Sequence, residues 1–136
     1  MRVIGLDVGE KRIGIALSDE MGWTANPHSV LNRTNLDDDL QNIIKLCIDN
    51  EVDKIVVGLP KNMDGTIGPK AIEVQEFAEI LCDRAGLPII FCDERLSTVS
   101  AEKMLIAADV SRQKRKKVID KIAAVHILQL YLDSKD

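Results

Sequence analysis

Three acids in this chain, Asp7, Glu94 and Asp120, sit where an idle charge would be costly. Asp7 follows the apolar run Val3-Ile4-Gly5-Leu6, Glu94 closes Ile89-Ile90-Phe91-Cys92-Asp93-Glu94, and Asp120 lies on an expected helix beside Ala123, Ala124 and Ile127. Taking a carboxylate out of water costs several kcal/mol unless it is paired or binds a metal. Singly, each has a plain explanation: Asp7 could tie down a turn, Glu94 could belong to an acidic helix start, and Asp120 could be one charge on a lysine-rich helix. Jointly, three carboxylates from three distant segments have the makeup of a Mg²⁺ or Mn²⁺ site for phosphoryl chemistry.

A second group of residues is basic. Residues 95–121 hold eight Lys or Arg against three Asp or Glu, a local balance of +5 in a chain whose total is −4, so the other 109 residues sum to −9. The total argues against nucleic acid and the stripe argues for it. Within the stripe, Ser111 reads as a helix N-cap. That puts Arg112, Lys114, Arg115, Lys116 and Lys117 in the first turns of a helix. Cations there are disfavoured by about 0.3–1 kcal/mol each, and a bound polyanion would offset that cost. Arg95, next to Glu94, is a candidate phosphate clamp, and Lys11 and Arg12 are further candidates to hold phosphates. Aromatic residues are few: Trp23, Phe77, Phe91 and Tyr131. Recognition is therefore expected through phosphates and shape rather than base stacking. Gly5, Gly9 and Gly14 do not form the GxGxxG of a dinucleotide site.

Positioning these groups requires a sheet. Residues 2–8 and 12–18 alternate as two strands of a hairpin. With a turn at Glu10-Lys11, Asp7 faces Gly14 and Gly5 faces Ala16, leaving a small-residue floor beside Asp7; a bulge at Gly9 is the alternative. A weaker third strand is expected at 28–31, then a helix whose first turn holds Asp37, Asp38 and Asp39 behind Asn35. A strand at 54–59, a turn-rich loop from Pro60 to Pro69, a helix at 70–85 ended by Gly86, a strand at 89–92 and helices near 97–108 and 112–133 complete the reading. A hairpin followed by alternating helix and strand indicates one mixed α/β sheet of five strands flanked by helices, in a single domain over 1–136. In such sheets ligands gather at the carboxyl ends of parallel strands, where Asp7 and Glu94 fall.

The composition, 46% hydrophobic and 29% charged, excludes disorder, and no apolar run approaches the roughly 20 residues that span a bilayer. The chain enters a strand at once, without a signal peptide. Cys47, Cys82 and Cys92 are odd in number and lack CxxC spacing, and His28 and His126 have no ligand spacing to them. They read as reduced core thiols of a cytoplasmic protein.

Four segments carry a resemblance. Gly5-Leu6-Asp7-Val8-Gly9-Glu10-Lys11-Arg12-Ile13-Gly14, Val57-Gly58-Leu59-Pro60-Lys61-Asn62-Met63-Asp64-Gly65-Thr66, Asp93-Glu94-Arg95-Leu96-Ser97-Thr98 and Lys117-Val118-Ile119-Asp120-Lys121-Ile122-Ala123-Ala124 resemble, in this order, the YqgF-type, Holliday-junction-resolvase-like family. The resemblance covers essentially the whole chain. It implies an RNase H-like fold, a divalent-metal nuclease that matures the 5′ end of pre-16S ribosomal RNA, and metal ligands at Asp7, Glu94 and Asp120. It names structured RNA as the partner, with a four-way DNA junction as the alternative. The chain departs from the better-known junction resolvases: the strand ending Val57-Gly58-Leu59-Pro60 has no acid, so Glu94 must serve from the next strand. Two rival expectations stand beside the nuclease. One is a non-catalytic RNA-binding assembly factor. The other is a nucleotide-binding half of the actin and sugar-kinase type, for which 136 residues leave no second lobe. Monomer and homodimer are both open.

Overall fold

The computed structural model describes residues 1–93 and 112–134, with side chains up to Asp93 and again from Ile122. Five strands and three helices lie within them: β1 (Arg2–Val8), β2 (Arg12–Ser18), β3 (Ala25–Asn32), α1 (Leu36–Asp49), β4 (Val52–Leu59), α2 (Pro69–Ala85), β5 (Ile89–Asp93) and α3 (Arg112–Ser134). The strands form one sheet in the order β3-β2-β1-β4-β5. The first three are antiparallel, and β1, β4 and β5 are parallel.

Alternation along β1 sorts its side chains into two layers. Ile4 and Leu6 join Ile13, Ile15, Ile55 and Val57 beneath α1 and α2, packed on Leu40, Ile43, Val74, Phe77 and Leu81. Val3 joins Ala16 and Val56 on the other face, beneath Ala124, Ile127, Leu128 and Leu132 of α3. The β1–β2 register is the one the alternation predicts, with Asp7 opposite Gly14 and Gly5 opposite Ala16. The hairpin closes without a bulge: the Gly9 N–H donates to the Arg12 carbonyl at 2.9 Å. A Cβ on Gly9 would stand 2.8 Å from that same carbonyl oxygen, so close approach rather than a bulge accounts for the glycine.

The small-residue floor has a different use from the expected one. A Cβ on Gly5 would lie 2.7 Å from the Leu128 Cβ and 3.1 Å from the Ala124 carbonyl oxygen. The floor is covered there by α3, which lies almost on the strand backbone.

Local signals set most element ends. Asn35 caps α1, its side chain accepting from the Asp38 N–H at 2.9 Å. Pro69 opens α2, and Gly86 ends it in the left-handed conformation at φ 69°. The third strand is twice the expected length, Ala25–Asn32, because pairing with β2 extends it past a weak local pattern. Pro27 is tolerated there because β3 is an edge strand with a register shift beside it. Cys47 is buried, and burial pushes its thiol up to about 11, which leaves it protonated and inert. The expected helix at 97–108 and the Ser111 cap lie outside the described residues.

Replacing Gly5 with Ala is expected to destabilise the fold by about 1–3 kcal/mol through overpacking against α3. Thermal melts check this, and in a double-mutant cycle Leu128→Gly, which removes the contacting Cβ, should couple favourably with Gly5→Ala if that contact is the cause.

Candidate functional site

β1, β4 and β5 run parallel, so their carboxyl ends fall on one edge of the sheet. Asp7 stands half-buried at the end of β1, Leu59 and Pro60 follow from β4, and Asp93 ends β5 opposite Leu59. Asp7 shares its face with Gly5, on the side that α3 covers. The neighbour of Leu6 on β4 is Val57, which leaves Gly58 beside Asp7 with no side chain to crowd it.

The direction of α3 follows from its contacts. Gln129 accepts from the Ala25 N–H at 2.9 Å and donates to the Trp23 carbonyl at 3.1 Å, at the end of the sheet remote from Asp7. Ala124 and Leu128 lie over Gly5. Four residues of helix span about 6 Å and two residues of strand about 6.6 Å. The backbone turn that carries Asp120 therefore sits at the same end of the sheet as Asp7. Glu94 and Arg95 lie outside the described residues, directly after Asp93. Arg112, Lys114, Arg115, Lys116 and Lys117 fall in the first turns of α3, as expected. Lys11 is exposed and Arg12 half-buried at the tip of the β1–β2 hairpin. Among the described residues no group of three His, Cys, Asp or Glu side chains is placed to hold a metal. Of the three expected acids, only the side chain of Asp7 is among them.

Beside Asp7, toward α1 and α2, opens a cleft of about 360 Å³ lined by Val8, Gly9, Glu10, Arg33, Pro60, Lys70, Glu73, Val74 and Phe77. Its polar groups Arg33, Lys70 and Glu73 were not expected from the sequence. Arg33 is fixed on three sides. Its Nε donates to Asp39 Oδ2 at 3.3 Å, its Nη1 donates to the Gly9 carbonyl at 2.8 Å, and its guanidinium lies 5.2 Å from the Phe77 ring centre. Asp39 is only 1% exposed and also accepts from the Thr34 N–H at 3.1 Å. Arg33 thereby ties the hairpin that carries Asp7 to the start of α1.

The loop after β4 is also held by its own residues. Asp64 accepts from the Thr66 backbone N–H at 3.0 Å and hydroxyl at 2.6 Å, and Asn62 donates to the Thr66 hydroxyl at 2.9 Å. The Asn62 amide lies where a Cβ on Gly68 would stand, at 3.0 Å. The loop is thus a braced rim of the cleft rather than a loose connection.

The class is defined by likeness of fold. The chain superposes on Thermus thermophilus RuvC, solved in complex with a Holliday junction substrate, with a TM-score of 0.58 at 13% identity over 97% of this chain and 94% of that one. The fowlpox virus Holliday junction resolvase gives 0.57 at 15% identity, covering 99% and 100%. The fold is RNase H-like. The family model described as "RuvX: Holliday junction resolvase" matches residues 1–134. A protein of Syntrophomonas wolfei named "Putative pre-16S rRNA nuclease" is 61% identical over 133 residues, 98% of this chain and 94% of its own. The chain belongs to the RuvX family and is a nuclease, with nucleic acid as its partner.

Removing the Asp39 carboxylate by Asp39→Ala leaves Arg33 without its buried partner. Denaturant titration should show a loss of about 3 kcal/mol.

Proposed function

We propose that this nuclease is a divalent-metal-dependent endonuclease that trims the 5′ end of precursor 16S ribosomal RNA. Its metal would be held by Asp7, Glu94 and Asp120. The observation that carries this reading is the backbone geometry: α3, seated on Gly5, brings the turn of Asp120 to the strand end where Asp7 stands, and Glu94 follows β5, the parallel strand on the far side of β4. The name of the Syntrophomonas wolfei relative supports the RNA substrate.

The donor set fits the ion. Carboxylate oxygens are hard ligands suited to Mg²⁺ or Mn²⁺, and no thiol or imidazole is needed. Bound there, the ion would polarise the phosphoryl oxygen and acidify a coordinated water for in-line attack. The protein's own residues do the rest. Lys11 and Arg12 reach out from the hairpin tip to the phosphates flanking the cut. Arg95 and the run Arg112, Lys114, Arg115, Lys116 and Lys117 hold the strand through its phosphates. Lys70, on the first turn of α2 where the helix dipole is positive, adds an anion-favouring wall to the cleft. The whole of residues 1–136 acts as one RNase H-like nuclease domain. Among the described residues no helix is long and apolar enough to cross a membrane, and a cytoplasmic place of work suits the substrate.

A four-way DNA junction is the second reading, supported by the description of the family model. Cleavage of precursor rRNA and of a synthetic four-way junction, side by side with Mg²⁺ or Mn²⁺, decides between them. Asp7→Asn, Glu94→Gln and Asp120→Asn should each abolish cleavage. In EDTA, Asp7→Asn should melt at the same or a higher temperature, because like charges cease to repel at an empty site. Wild-type-like complementation by an Asp7→Asn variant that no longer cleaves would leave a non-catalytic RNA-binding assembly factor as the better account.

Changing Lys114, Arg115, Lys116 and Lys117 to Gln should weaken nucleic-acid binding and flatten its salt dependence. Each lost contact should remove about 0.9 from the log–log slope on duplex DNA, or about 0.7 on single strands. Binding titrations at several salt concentrations measure the slope.

A further inference from the structure

The turn between β2 and β3 lies at the end of the sheet remote from Asp7, and its build differs from an ordinary surface turn. Asp19 Oδ1 accepts from the Trp23 N–H at 2.7 Å and the Thr24 N–H at 3.1 Å. The Asp19 N–H donates to the Thr24 carbonyl at 3.2 Å, and the Gly22 N–H donates to the Asp19 carbonyl at 3.1 Å. The Thr24 and Trp23 N–H groups hold the Asp19 carboxyl below the usual carboxylate range, so it is charged at neutral pH. From α3, Gln129 donates to the Trp23 carbonyl at 3.1 Å and to Asp133 Oδ1 at 2.9 Å. The backbone of this turn is therefore fixed from two sides.

The side chains it carries are not buried by any of this. Trp23 is 72% exposed and Met21 is 73% exposed, with Met1 nearby at 70% and its ammonium facing the Glu20 carbonyl at 3.5 Å. A rigid turn that displays a tryptophan and a methionine to water, with exposed Met1 beside it, is a feature of contact surfaces. The rim is acidic. Asp19, Glu20 and Asp133 stand at the turn, with Glu20 paired to Arg2 at 3.6 Å beside the N-terminal amine.

We propose that the Met21–Trp23 turn docks a basic segment of a partner protein, one that places an Arg guanidinium on the indole face and aliphatic side chains against the methionines. The acidic rim selects this occupant. It repels the phosphates of a nucleic acid, and a two-fold contact between copies would set the same acids against one another. The basic run at the start of the same α3 cannot fold back onto the turn. Lys117 and Gln129 are twelve residues apart on one helix, about 18 Å along its axis. The inference does not depend on the metal-site reading, since it uses none of those residues.

Trp23 is the chain's one tryptophan, so intrinsic emission reports on this site alone. The full chain is titrated with a synthetic alternating Arg-Leu peptide, with the same peptide bearing Glu in place of Arg, and with oligouridylate. The expected result is a saturable shift of Trp23 emission with the basic peptide only. Followed by anisotropy of a labelled peptide, Trp23→Ala and Glu20→Lys should each weaken binding by about tenfold, with melting temperature and nuclease activity unchanged. Emission that does not respond to the Arg-Leu peptide would overturn the proposal. So would an equal response to oligouridylate, which would assign the turn to nucleic acid, or a response to protein concentration alone, which would assign it to a second copy of the chain.

Discussion

The position of α3 depends on an absence, the missing side chain at Gly5. A helix packed on a sheet is normally held off the strands by the side chains between them. Here the Leu128 Cβ and the Ala124 carbonyl occupy the space that a Cβ on the strand would need. The apolar layer of Val3, Ala16, Val56, Ile127 and Leu132 then closes around that point of contact. Height and axial position of the helix are both fixed by it, and with them the position of its first turns over the carboxyl end of β1. Residues with no chemistry of their own set the geometry that the proposed metal site requires.

The parts of this arrangement differ in how far the sequence reveals them. The β1–β2 register is legible because a strand with one bulky and one small face tolerates no slip of one residue. Both ends of α2 are marked by Pro69 and Gly86, and Asn35 marks the start of α1. The length of β3 is not legible, since its inner residues gain their order from β2 rather than from their own pattern. Asp7 stands out as an acid at the end of an apolar run. Arg33 does not, because an arginine between a strand and a helix looks like any solvated charge. Its role rests on Asp39, which the sequence groups with Asp37 and Asp38 as an acidic first turn. A finer signal was available: Asp39 lies four residues before Ile43, on the apolar stripe of α1, and the structure buries it there. The cleft as a whole draws on β1, α1, β4 and α2 and has no signature in any one segment.

Charge is unevenly distributed along the axis of α3. Its first turns carry the basic run, at the Asp7 end of the molecule, and its last turns carry Asp133 and meet the turn held by Asp19. A total of −4 conceals this division. Under the proposed function, a molecule so polarised would meet a polyanion with its basic end and turn its acidic end away.

The β3 edge carries a consequence for assembly. Pro27 offers no amide hydrogen, and the shift of register between Ile15 and Ala16 twists the rim beside it. A second sheet laid against that rim would meet a gap in its hydrogen-bond ladder just where the strand is most exposed. Two copies of this chain are thereby kept from merging their sheets into one continuous ten-stranded surface along β3.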